Sequence, residues 1–327
     1  MPELPEVETI RRGLSKTITD KKIVNFDDRD SKVVQIKKED IVGAKVESVE
    51  RRAKIIIISM NNNKSMIFHM KMTGQLIWEN CAGGKDFCLR NRKGAGPAQS
   101  LAQRAGGGPA RNAQQRVAGG HPDKAWLEKL PNKHTRAIFT FDDQSVLYFN
   151  DIRRFGWVKI FQTKELKNPS TSLRTGSGTK ELKNIGVEPL SKDLTVQYLK
   201  QMAKRFSGRK IKQFIMDQAI IAGVGNIYAD EALYEAKILP TRLAKDLKTA
   251  EWQKLICAIK KVLEKGIAHG GSSAENFVDA YGEQGRAQEY LMVYKKTGQK
   301  CNNRCGGTIK RMVIGGRSTH FCPKCQR

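Results

Sequence analysis

The chain lacks any apolar run approaching the roughly 18 residues that a membrane span requires. Its mean hydropathy, -0.52, is that of a water-soluble protein. The opening stretch MPELPEVETI carries three glutamates and no apolar core, so it is not read as a secretory signal. A cytoplasmic location, nucleoid-associated in a bacterium, is therefore expected. Acidic residues are in deficit: 33 Asp and Glu stand against 59 Lys and Arg, for a formal net charge of +26. That balance disfavours basic partners. It favours polyanions, because each cation that neutralises a phosphate releases a counterion. Cysteine is too sparse and too unevenly placed for a disulfide framework. Of seven, Cys81, Cys88 and Cys257 are scattered, and the rest crowd the carboxyl end.

Periodicity divides the chain. Val7, Ile10, Leu14 and Ile18 recur at helical spacing. Short β-rich stretches follow at Ile41–Val49, Lys54–Met60, Ser65–Met70, Ala137–Phe141, Ser145–Phe149 and Trp157–Phe161. Beyond Pro189 the pattern turns helical, over Leu194–Phe206, Ile211–Asp217, Ile227–Ala236 and Thr249–Gly266. The expected class is α+β: an amino-terminal helix with an antiparallel β-sandwich, then a helical domain and a cysteine-bearing tail. Residues 1–188, 189–290 and 291–327 are the expected domains. Two stretches break the order. Residues 81–118 are rich in Gly, Ala, Gln and Arg without periodicity, and read as a disordered insertion or a long basic DNA-binding loop. The second break, 169–184, includes the flexible run PSTSLRTGSG, and TKELKN occurs on both sides of that run, at Thr163–Asn168 and Thr179–Asn184. A short element that duplicated its flanks on insertion would leave this pattern.

Three groups of residues carry chemistry. Removal of Met1 would give Pro2 a free secondary amine, which titrates near neutrality and is nucleophilic in part at working pH, with Glu3 beside it to move protons. Read alone, Met-Pro is a helix start rather than a nucleophile, and Lys54 a solvated strand-edge lysine. Cys301-x3-Cys305 and Cys322-x2-Cys325, sixteen residues apart, have the spacing of a closed four-thiolate zinc site. His320 is a rival ligand, read rather as hairpin surface. Gly223-Val224-Gly225-Asn226, between two helical stretches, is a tight turn feeding a helix amino terminus, a position suited to a phosphate.

Pro2–Thr9, PELPEVET, resembles the amino-terminal signature of the formamidopyrimidine-DNA glycosylases, and the likeness recurs along most of the chain outside the two breaks. Leu4 is more similar to this oxidised-purine branch than to the endonuclease VIII branch. The resemblance implies a bifunctional glycosylase and AP lyase acting on 8-oxoguanine and formamidopyrimidines in damaged double-stranded DNA, as a monomer, with one structural zinc. It implies Pro2 as Schiff-base nucleophile, Glu3 as proton donor, Lys54 in β-elimination, and Arg317 on phosphates and in δ-elimination. Met72, Arg153 and Phe155 match the trio that fills the gap left by a flipped nucleotide; without that likeness Met72 and Phe155 read as core. His134, Lys212 and Asn226 match DNA-contacting positions. Cys301, Cys305, Cys322 and Cys325 match the zinc ligands, with three residues rather than two inside the first pair. Departures are Arg136 in place of a second histidine, and Glu283 and Ala287 in the segment that closes over the flipped base. Two alternatives stay open: an oxidised-pyrimidine enzyme, and a non-catalytic damage-binding protein.

Overall fold

The computed structural model describes residues 2–80, 116–120, 130–167, 185–272 and 285–327. Helix α1 (Leu4–Ile18) leads into two five-stranded sheets. The first runs β1 (Ile23–Asp28), β8 (Thr135–Phe141), β9 (Val146–Asp151), β6 (Gly74–Glu79), β7 (Arg116–Gly120). The second runs β2 (Val34–Gln35), β10 (Trp157–Gln162), β5 (Lys64–His69), β4 (Ile55–Met60), β3 (Val46–Arg52). Every pairing is antiparallel except that of β2 with β10. Strand alternation explains the packing: Thr135, Ala137, Phe139 and Phe141 of β8 all point inward. Ala137, Phe139 and Phe141 meet Ile56, Ile58 and Phe68 of the other sheet and Val7, Ile10, Leu14 and Ile18 of α1 in one core. The outer face of the second sheet is also covered, where Ile55, Ile67 and Trp157 gather Leu166 of α2 (Thr163–Lys167).

The second half is helical: α3 (Val196–Arg205), α4 (Ile211–Met216), α5 (Asn226–Glu235) and α6 (Thr249–Ala268). Their core gathers Phe214, Tyr228, Leu233, Trp252 and Leu263, and it contains one residue from the start of the chain, Leu4. Helix α1 thus lies with its first turn in the helical core and the rest in the sandwich. The chain closes with the hairpin β11 (Lys310–Ile314) and β12 (Arg317–Phe321).

Four differences from the sequence reading have physical reasons. The strand expected from Ile41 begins at Val46, because a 3-10 turn at Lys38–Asp40 and Gly43 at φ +91° intervene. Strands β1, β2 and β6 went unread. The stretch read as a disordered insertion through residue 118 ends in β7, which pairs with β6. Its sequence, RVAGG, has no alternation to read, yet backbone N–H and C=O groups pair whatever the side chains. Finally, the first TKELKN copy is largely the helix α2. The rest of 81–118, residues 169–184, the second copy and Glu283 lie outside the described residues. Among those described, no helix is long and apolar enough to cross a membrane.

Candidate active site and DNA-binding surface

The amino terminus inserts into the turn that precedes α5. Leu4 N–H donates to the Gly223 carbonyl at 3.1 Å. Glu3 Oε1 accepts from Ile227 N–H at 2.9 Å and Oε2 from Tyr228 N–H at 3.4 Å, so this carboxylate sits on the positive end of α5. Glycine is required at both ends of the turn. Gly223 is at φ +83°, and a Cβ there would lie 2.7 Å from Leu4 Cδ1. A Cβ on Gly225 would lie 2.2 Å from Glu3 Cδ. Pro2 is buried, next to Glu3 in the chain.

Lys54 reaches the same turn from the sandwich, donating to the Val224 carbonyl at 3.0 Å. Ala53, at φ +54°, kinks the chain before it. Glu188 holds that kink: it accepts from Ala53 N–H at 2.5 Å and pairs with Arg51 at 2.9 Å and Arg52 at 3.0 Å. Lys54 and Glu3 are each about 5% exposed or less. Burial pushes the Glu3 carboxyl up to about 7, against the opposing pull of Lys54. Burial likewise holds Lys54 below its usual value, opposed by Glu3 and Glu6, with the positive charge of Arg317 adding to the depression. A second buried carboxylate, Glu6, is also pushed up by burial. It accepts from Glu3 N–H at 2.8 Å, Tyr228 Oη at 2.9 Å and Ser272 N–H at 2.7 Å.

A second constellation is exposed. Met72 (41%) and Phe155 (53%) stand in solvent, which excludes the core-packing reading. Arg153 joins them, its Nη1 3.6 Å from Met72 Sδ and its Cζ 4.9 Å from the Phe155 ring centroid. Asp151, fully buried, builds this tip. Its Oδ1 accepts from Thr73 Oγ1 at 2.5 Å and Arg153 N–H at 3.2 Å, and its Oδ2 from Gly156 N–H at 2.6 Å. Asp151 N–H donates to the His134 carbonyl, placing that half-buried histidine next to the same tip. Arg136, by contrast, is committed inward, to the Asp151 carbonyl at 2.9 Å and to Asp30 at 3.6 Å.

The finger docks on α4 and α5, and Lys212, expected at a DNA contact, lies beneath it. Lys212 does not face outward toward DNA. It is 1% exposed, paired with Asp230 at 2.6 Å, and donates to Ser318 O at 2.8 Å and Thr319 Oγ1 at 2.9 Å. Asp230 also accepts from His320 N–H at 2.8 Å and contacts its Nδ1 at 3.0 Å, which occupies that imidazole away from the cysteines. A buried ammonium needs such partners, and no outward lysine would satisfy Asp230. Arg317 remains exposed at the hairpin tip after Gly315 and Gly316, both at positive φ. Asn226 opens α5, and its Oδ1 has no hydrogen-bond partner among the described residues.

Cys301, Cys305, Cys322 and Cys325 converge, with all four sulfur atoms within 4.8 Å of one another. Cys301 and Cys325 are 3.7 Å apart and Cys305 and Cys322 3.5 Å. Tetrahedral zinc with Zn–S bonds near 2.3 Å sets sulfurs about 3.8 Å apart, so the residues fit one closed structural zinc. The extra residue in the first pair is absorbed by Arg304 at φ +52° and Gly306 at φ +67°.

Comparison with known proteins agrees with this geometry. Residues 1–158 match the formamidopyrimidine-DNA glycosylase N-terminal domain, 185–278 the H2TH domain of the same enzymes, and 298–327 the zinc finger found in FPG and IleRS. The formamidopyrimidine-DNA glycosylase of Pelotomaculum thermopropionicum is 34% identical, over 100% of this chain and 99% of its own length. That of Desulfitobacterium hafniense is 35% identical over 100% of both.

The chain belongs to the formamidopyrimidine-DNA glycosylase family.

Its fold also matches a Lactococcus lactis FPG mutant in complex with a Fapy-dG containing DNA (TM-score 0.75, 29% identity, 100% of both chains). It matches the Lactococcus lactis Fpg with an abasic site containing DNA as well (TM-score 0.74, 29% identity, 99% of both). In this formamidopyrimidine-DNA glycosylase family member, sequence reading passed over Glu6, Glu188 and Asp151. Glu6 lies inside PELPEVET and Asp151 just ahead of Arg153, but an acidic residue at any of the three positions looks like helix or loop surface. Only burial among backbone donors reveals its role.

Proposed function

We propose that this chain is a bifunctional DNA glycosylase and AP lyase of base excision repair, acting as a monomer on oxidised purines. The observation that carries the reading is the convergence of Glu3 and Lys54 on one turn, Gly223–Gly225, with both groups shifted toward neutrality and the buried Pro2 adjacent to Glu3 in the chain. Once Met1 is removed, the Pro2 amine attacks C1′ of the damaged nucleotide. The base leaves with its bonding electrons and takes a proton from the Glu3 carboxyl, which at about 7 is protonated in good part at working pH. The C1′–O4′ bond then breaks as the proton lost from the Pro2 nitrogen passes through the Glu3 carboxylate to O4′, and the ring-opened iminium that results acidifies the neighbouring C2′–H. Lys54, whose charged form burial disfavours, is the group placed to take that proton, and loss of the 3′ phosphate completes β-elimination. Arg317 offers a fixed positive charge to the departing phosphates, and a further elimination releases the 5′ side.

Met72, Arg153 and Phe155 form the wedge. Apolar and planar groups standing in solvent suit a gap between bases better than they suit water. The charge of +26 supplies sequence-independent affinity for the duplex. Zinc is structural: four thiolates close its coordination, and it holds the hairpin that presents Arg317. Lys212 supports that hairpin from within and is assigned no DNA contact.

Borohydride trapping on an 8-oxoguanine:cytosine duplex tests the reading. A covalent adduct mapped to Pro2, absent from protein whose amino terminus stays blocked, is the expected result. Tight damage-specific binding with no adduct from a free Pro2 would overturn it in favour of a damage-binding protein. Preference for oxidised pyrimidines across a lesion panel would overturn the substrate class alone. Light scattering at working concentration checks the monomer.

A further inference from the structure

The four sulfurs of the finger differ in what surrounds them. Cys325 Sγ accepts from Asn303 Nδ2 at 3.4 Å, and Cys305 Sγ from Gly307 N–H at 3.3 Å. Both donors belong to the finger's own turns. Cys301 Sγ instead contacts the hydroxyl of Tyr234, 3.1 Å away, and Tyr234 stands on α5, outside the finger. The contact is buried: Tyr234 is 2% exposed and Cys301 7%, and the two share a core with Val293, Ile309 and Cys322. A metal-bound cysteine is a thiolate and has no proton to give. With zinc in place the phenol must be the donor.

We infer that Tyr234 is a positioning residue of the zinc site: it donates a hydrogen bond to the Cys301 thiolate, and through it helix α5 takes part in holding the metal. The hydrogen bond draws charge from the sulfur, which makes it a poorer nucleophile toward protons and competing ligands and fixes its lone pairs toward the metal. The same helix carries Glu3 at its other end, through Ile227 and Tyr228. One ten-residue element therefore joins the catalytic carboxylate to the metal. Its carboxyl end is tied to the tail as well: Leu239 N–H donates to the Arg327 carbonyl, and Gln326 Nε2 to the Ile238 carbonyl at 2.9 Å. This inference needs only the four-cysteine zinc site and is independent of which lesion the enzyme removes.

The test is Tyr234→Phe, which keeps the ring in the core and removes only the hydroxyl. Transfer of zinc from the full-length protein to a chromogenic chelator should be about tenfold faster in the variant, the lower end of what loss of an outer hydrogen-bond partner produces. In cobalt-substituted protein, the sulfur-to-metal charge-transfer band should move to longer wavelength, because the thiolate loses its stabilising donor. Unchanged transfer and an unchanged band would overturn the inference. So would an equal loss of thermal stability in the metal-free wild type and variant, which would assign the hydroxyl to packing rather than to the thiolate.

Discussion

The site where the amino terminus enters the helical domain and the tip built on Asp151 invert ordinary burial in opposite directions. At the first, Glu3, Glu6 and Lys54, side chains that normally face water, are shut away from it. At the second, Met72 and Phe155, which normally fill cores, stand in water. Each inversion costs stability, and each suits a different task. Proton transfer at neutral pH needs carboxyl and amino groups moved off their usual values, and desolvation moves them. Opening a base stack needs apolar surface ready at the point of contact, and no buried residue supplies that. A glycosylase must do both, and under the proposed function this chain separates the two tasks onto different frameworks: a helix amino terminus for the charges, a carboxylate-tied loop pair for the exposed apolar groups.

The contrast can be broken from either side. The largest effect should come from keeping the Pro2 nitrogen acylated by an amino-terminal extension: the borohydride adduct should vanish while duplex binding persists. Glu3→Gln should come next, lowering base release about 10²- to 10⁴-fold in single-turnover assays, with trapping on preformed abasic sites much less affected. The same variant sharpens the pH argument. Glu3 rises from 4.5 to about 7 on folding, so the folded chain keeps a proton the unfolded one has lost. That favours folding fully below 4.5 and is lost as pH rises through about 7. Both base release and the Glu3-dependent part of stability should therefore decline through about 7, and Glu3→Gln should flatten each decline. Gly225→Ala should displace Glu3 and cost about 1–3 kcal/mol of stability by denaturant unfolding, together with much of the base-release rate. Phe155→Ala should weaken binding to lesion duplexes by about 1–3 kcal/mol, the range of a lost base–aromatic stack. Smallest of all, Phe155→Ala and Met72→Ala should leave unfolding free energy within about 0.5 kcal/mol of the parent. A large loss there would mean that the tip is core after all.

Much of this was legible in advance. The helix of α1, half of the strands, the four later helical stretches and the cysteine spacing all follow from periodicity or count. Strand β7 did not, since RVAGG pairs through its backbone. The burial of Lys212 was hidden for a related reason: a lysine in IKQFIMDQ has helical neighbours but no mark of facing inward, and its partners, Asp230 and Ser318, lie elsewhere in the chain. Glu188 and Asp151 escaped notice because a carboxylate that organises loops is chemically the same as one that merely solvates them.

The sequence by itself marked the helices, half of the strands and the four-cysteine cluster, because these depend on local spacing. The tertiary structure alone decided which charges leave water and which apolar groups stay in it. Burial is a property of what residues 224, 227 and 228 bring against residue 3, and no local pattern encodes it.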